Sequence, residues 1–143
     1  MKITKKITKK VMQIAAAGFF IALSSLFCSC MTARVEPEAD CSVLEIVQMA
    51  QDSYDRGNTA DALYYYDVLL SRYGTDASVY VEGRYEIAHI HFKAKDYEKA
   101  APIYEEIIAI FNSVMPGTLP EAYRKLSIND YSKIPQKFKS AEN

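Results

Sequence analysis

The chain is poor in the residues from which enzyme sites are usually assembled. It has two histidines, His89 and His91. They stand two positions apart, about 200° around a helix, so they cannot share a metal on one helix face. No cysteine or further histidine lies at ligand spacing from them. No glycine-rich phosphate loop, G-x-S-x-G elbow or HExxH pair occurs. Acidic pairs such as Glu105 and Glu106 are adjacent, and adjacent residues on a helix point apart, so both read as solvated. The expectation is a protein that is not an enzyme and carries neither metal nor cofactor.

Positive charge is also scarce outside the first ten residues. Lys2, Lys5, Lys6, Lys9 and Lys10 supply five of 17 basic residues, and the remaining 12 face 18 acids, a balance of −6. An acidic remainder argues against nucleic acid as a partner. The exception is the C-terminal end, where Arg124, Lys125, Lys133, Lys137 and Lys139 crowd the last twenty residues. With Pro135 to interrupt any helix, residues 129–143 read as a basic, partly disordered tail.

Long apolar runs are absent but for one, at residues 11–27, directly after the lysines. That order is the basic and apolar part of a secretory signal, expected over residues 1–29. The run ends "LFCSC", where Ser29 before Cys30, with Phe27 three positions before that cysteine, resembles the lipobox cut by lipoprotein signal peptidase. Phe27 and Cys28 depart from the stricter pattern, which has leucine and a small residue there. The resemblance implies an acylated Cys30 and a membrane reached through that lipid. Lipidation at Cys28 and an uncleaved transmembrane anchor are the alternatives. Cleavage before Cys30 leaves Cys41 as the remaining thiol and no internal disulfide, whereas lipidation at Cys28 would let Cys30 pair with Cys41. Residues 30–41 carry Pro37 among acids, have no apolar period, and read as the lipidated cysteine and a tether.

What the sequence does have is a copy of itself. "GNTADALYYYDVLLSRY" and "KDYEKAAPIYEEIIAIF" align with Ala62 on Ala100, 38 residues apart. Tyr66 and Tyr104 follow four positions later, then the paired aliphatics Leu69, Leu70 and Ile107, Ile108. That is one face of an amphipathic helix. Ala50 and Ala88 stand at the same offset, each twelve residues before its partner, so the unit is a helix pair. Small residues at all four positions allow close helix crossing. The expected fold is all-α: an antiparallel helix-pair solenoid of two repeats with a capping helix, over residues 42–128.

Local signals place the elements. Ser42 with Glu45 forms a capping box for the first helix, which shows Leu44, Val47, Ala50 and Tyr54 in register until Gly57. Asn58 or Thr59 caps the second helix, which ends at Gly74. The third starts near Asp76 with Gly83 inside it; Asp96 caps the fourth, where Pro102 removes a backbone hydrogen bond. "TLPE" reads as a second capping box for a fifth helix over residues 120–128, offering Leu119, Tyr123 and Leu126 to the second repeat. In "YYY", Tyr66 is core by register, while Tyr64 and Tyr65 fit either lateral packing or a protein contact.

Helix pairs of this period resemble tetratricopeptide (TPR) repeats. The stretch "LLSRYGTDASVYVEGRYEIA", through Leu69, Leu70, Arg72, Tyr73, Tyr85 and Ala88, is similar to BamD, the TPR lipoprotein of outer-membrane β-barrel assembly, and to periplasmic TPR proteins of the Tol system. Gly74 stands where that group has proline, and two pairs stand where BamD proteins have about five. The resemblance implies a lipid-anchored scaffold at the periplasmic face of the outer membrane. Its partner would be a β-barrel assembly subunit or a segment of an unfolded outer-membrane protein; the alternative is a peptide-binding chaperone or Tol-type adaptor outside that complex. TPR groove positions carried over by register fall on Val47, Gln51, Tyr54 and Asp55 in the first repeat, and on Tyr85, His89, Phe92 and Lys93 in the second.

Overall fold

A computed structural model describes residues 34–140 of the chain, and the compact unit formed there begins at Val35. The signal region and Cys30 lie outside the described residues. Five helices follow one another: α1 (Val43–Asp55), α2 (Thr59–Tyr73), α3 (Ala77–Lys93), α4 (Tyr97–Ser113) and α5 (Glu121–Lys133), with a short 3-10 turn at Gln136–Phe138. The fold is all-α. The first four helices are joined by three-residue connections, too short for anything but antiparallel neighbours, and each packs on the next.

The caps explain where the helices start. Ser42 Oγ accepts from the Glu45 N–H (3.4 Å) and the Glu45 carboxylate accepts from the Ser42 N–H (2.7 Å), so the capping box forms as expected. The Ser42 hydroxyl, which also donates to the Glu45 carboxylate (2.7 Å), and then the Ser42 N–H hold that carboxyl below its ordinary pKa. Asn58 caps α2 and Asp76 caps α3 through their side chains. Asp96 stands at the α4 cap position with its carboxylate turned to Lys99 Nζ (2.9 Å) and His91 Nδ1 (3.4 Å).

The internal repeat extends to single hydrogen bonds. At the end of α1, Gly57 (φ 78°) donates to the Tyr54 carbonyl and Asn58 to the Ser53 carbonyl, at 2.8 and 2.9 Å. At the end of α3, Lys95 (φ 62°) donates to the Phe92 carbonyl and Asp96 to the His91 carbonyl, at 3.0 and 2.9 Å. Both are Schellman turns, and every group in the second is 38 residues from its counterpart in the first. Ala50, Ala62, Ala88 and Ala100 are all fully buried, as are Leu69 and Ile107, with Tyr66 and Tyr104 closing the seam. Gly83 is buried where α3 meets α2: a Cβ there would stand 2.8 Å from Leu70 Cδ2.

Both ends depart from expectation. The described part of the tether is bound to α2. Tyr65 donates to the Val35 carbonyl (2.7 Å), Arg72 to the Pro37 and Glu38 carbonyls (2.9 and 2.5 Å), and Tyr73 to the Cys41 carbonyl (2.6 Å). Tyr64 donates to the Glu36 carboxylate. Residues 35–41 are therefore a strap, and the two off-face tyrosines are used to hold it. At the other end the proposed capping box does not form: Pro120 is the N-cap of α5 and no side chain accepts there. The helix also continues beyond 128 to Lys133, and residues 129–140 are not a frayed tail. Pro135 stops the helix, but Ile134 before it is 2 % exposed, and Phe138 after it packs on Tyr97 at 5.6 Å between ring centres. Ser140 then donates through its N–H (2.8 Å) and hydroxyl (2.5 Å) to the Glu105 carboxylate on α4. Apolar side chains flanking the proline outweigh the local charge.

Candidate functional site

The repeat places equivalent residues of α1 and α3 on one side of the molecule. Between them, with α2 beneath, lies an open pocket of about 160 Å³ lined by Gln51, Tyr54, Asp55, Tyr66, Glu86, His89 and Ile90. Four of the eight groove positions expected from the repeat, Gln51, Tyr54, Asp55 and His89, come together there. Val47 is buried in the core instead. Lys93 is exposed but does not line the pocket.

Tyr85 and Phe92 are covered from above by α5. Tyr85 is 6 % exposed, with ring centres of Tyr123 and Tyr104 at 5.6 and 6.1 Å. Phe92 sits 6.4 Å from Tyr104, with Lys133 Nζ over its ring at 6.0 Å. The second half of the expected groove is thus filled by the chain's own C-terminal helix.

One carboxylate fixes that arrangement. Asp130, on α5 and buried, accepts from His89 Nδ1 (2.9 Å), the Tyr85 and Tyr104 hydroxyls (3.3 and 3.4 Å) and Lys133 Nζ (3.0 Å). Burial alone would raise its pKa, but the bonds from Lys133 and His89 hold it below the ordinary aspartate range. Burial, followed by the nearby Asp130 charge, pushes the Tyr85 and Tyr104 phenols well above theirs. Because an ionised carboxylate only accepts, His89 donates to it through Nδ1. His91 faces Asp96, and its pKa is lowered by burial despite that neighbour.

The register argument missed Tyr66, Glu86 and Ile90 as pocket residues and Asp130 as the residue that orients His89. Glu86 was within reach of it, one helical turn before His89 on the same helix. Asp130 gave no signal, being one acid in a polar helix. Among the described residues no group of three or more His, Cys, Asp or Glu side chains is placed to hold a metal ion. Nor is any described helix long and apolar enough to cross a membrane.

An uncharacterised protein of Treponema pallidum (strain Nichols) is 32% identical to this chain over 90 residues, covering 63% of the chain and 36% of that protein. The chain thus spans little more than a third of its relative's length. No family model matches the chain, and no solved structure matches it.

Proposed function

We propose that this protein is a TPR-like scaffold of the cell envelope, lipid-anchored at Cys30, that binds a polypeptide segment on the face shared by α1 and α3. The observation that carries the reading is the helix hairpin whose turn bonds recur at 38 residues, which sets equivalent helix faces side by side with an open pocket between them. Stacked helix pairs use such faces to bind extended or helical segments. The BamD resemblance supplies the client class: a subunit of β-barrel assembly, or part of an unfolded outer-membrane protein, met at the periplasmic face of the outer membrane.

A second reading, a peptide-binding lipoprotein outside any assembly complex, is favoured by the shortness of the open face. With α5 over Tyr85 and Phe92, the free surface suits one short segment better than a large docked domain. A photo-crosslinking residue at Gln51, introduced into the full chain in native membranes, tests both. Adducts at Gln51 and none at the exposed α4 position Glu98 support the face, and the mass of the adduct separates a stable subunit from transient clients. Equal adducts at the two positions would overturn it.

A further inference from the structure

The pocket between α1, α2 and α3 carries negative charge that the fold does not neutralise. Asp55 and Glu86 line it, and neither makes an ion pair or hydrogen bond with another described residue. Beneath them lies Tyr66. It lines the same pocket although only 2 % exposed, and its hydroxyl makes no hydrogen bond among the described residues. That hydroxyl is not enclosed: it opens on the pocket, where it can bond a group from outside. The Tyr66 phenol is pushed up first by burial and then by the charges of Glu86, Glu82 and Asp55 among its neighbours.

Glu86 is itself raised, chiefly by burial and further by Glu82, with His89 acting in the opposite sense. His89 is held by Asp130 through Nδ1, which fixes the ring at the edge of the pocket. The remaining walls are the Tyr54 ring and aliphatic Ile90. At about 160 Å³ the space is well below the roughly 300–1,000 Å³ of sites that enclose a drug-sized ligand, and it suits one side chain.

We propose that this pocket receives one arginine or lysine side chain of the bound polypeptide. Its cationic head lies between Asp55 and Glu86, with Tyr66 Oη as a further acceptor, and its stem runs along Tyr54 and Ile90. Arginine is the better fit, because its planar head offers several donors at once and stacks on an aromatic ring. The inference rests on the α1 and α3 face being a polypeptide site, and it adds which residue that polypeptide must present.

The test is a titration of the full, isotope-labelled chain in detergent micelles with capped alanine pentapeptides. Their central residue is arginine, lysine, citrulline or glutamate, and amide chemical shifts report both site and affinity. The arginine and lysine peptides are expected to shift the amides of Gln51, Tyr54, Asp55 and Ile90 saturably. Replacing arginine by citrulline, which keeps the shape and removes the charge, is expected to weaken binding by about tenfold or more. Glu86→Gln and Asp55→Asn should each reduce the preference for arginine over citrulline. If arginine and citrulline peptides bind these amides equally, the cation site is wrong while the peptide face stands. If the charged peptides shift none of these amides, the cation site falls as well, and the crosslinks at Gln51 then decide whether the face itself survives.

Discussion

At the scale of single residues, three tyrosines at the heart of the repeat differ in what their hydroxyls do. Tyr85 and Tyr104 donate to Asp130, whereas Tyr66 has no partner among the described residues. Tyr104→Phe is therefore expected to cost about 1 kcal/mol, the usual net worth of such a bond, and Tyr66→Phe to be neutral or slightly stabilising in urea unfolding of the unliganded protein. An equal loss in both variants would show that Tyr66 has a partner after all. The acids carry opposite signs. Asp130 has a folded pKa below its unfolded value, so its stabilisation is present above the unfolded aspartate pKa of about 3.9 and lost as pH falls through the folded one. Glu86 is raised, so the native state gains stability as pH falls through the folded pKa toward the unfolded one, and at pH 7 its charge is a burden. Glu86→Gln should accordingly raise the urea midpoint at pH 7 and lose that advantage near pH 4. Asp130→Asn should lower the midpoint at pH 7, with a difference from wild type that narrows on acidification.

At the scale of elements, the two Schellman turns offer a matched comparison, because the same left-handed position is Gly57 in one and Lys95 in the other. Gly57→Ala is expected to destabilise by about 1 kcal/mol and Lys95→Gly to stabilise by about 0.5 kcal/mol, since only a side chain is penalised at positive φ. Thermal unfolding of the two variants checks the pair, and shifts of the same sign would contradict the shared geometry. Gly83 works differently, through close approach of α2 and α3, so Gly83→Leu should cost on the order of 2 kcal/mol by forcing Leu70 aside. These hairpins were legible in the sequence because caps, small residues and turn glycines are chemistry of fixed position. The ends were not legible, for physical reasons. The strap at residues 35–41 is held mostly through backbone carbonyls, which every sequence provides alike. α5 buries Ser127 and Asp130 while Leu126 and Ile128 are exposed, so its apolar residues point away from the answer. The pocket was half legible: register found the α1 side and His89, but not Tyr66, which register assigns to the core, nor Glu86.

At the scale of the whole molecule, the question is how firmly α5 closes the second half of the face. The seams among α1 to α4 are built from buried aliphatic and aromatic side chains, whereas the fully buried residues of α5 itself are Ser127 and Asp130, and Ser127 Oγ has no hydrogen-bond partner among the described residues. Apolar support for α5 comes from the half-buried Tyr123 and Tyr131 and from its flanks, Leu119 before it and Ile134 after it. An element docked through one carboxylate network, two half-buried tyrosines and two flanking anchors has less to lose on opening than one docked along a continuous apolar stripe. In hydrogen exchange, peptides covering Glu121–Lys133 are expected to exchange well before those covering Thr59–Tyr73. Asp130→Ala should accelerate the first group strongly and the second little, because the network it removes joins α5 to α3 and α4 without touching the α1–α2 seam. Ile134→Ala, costing about 2–4 kcal/mol at a well-packed site, should act in the same direction. Opening α5 would expose Tyr85 and Phe92 and lengthen the free face, so the Asp130→Ala protein should also give crosslinks from a probe at Phe92 that wild type does not. Exchange of α5 at the rate of α2 in the wild-type protein would mean that the cap is part of the cooperative core, and that the face available to a polypeptide is confined to the pocket between α1 and α3.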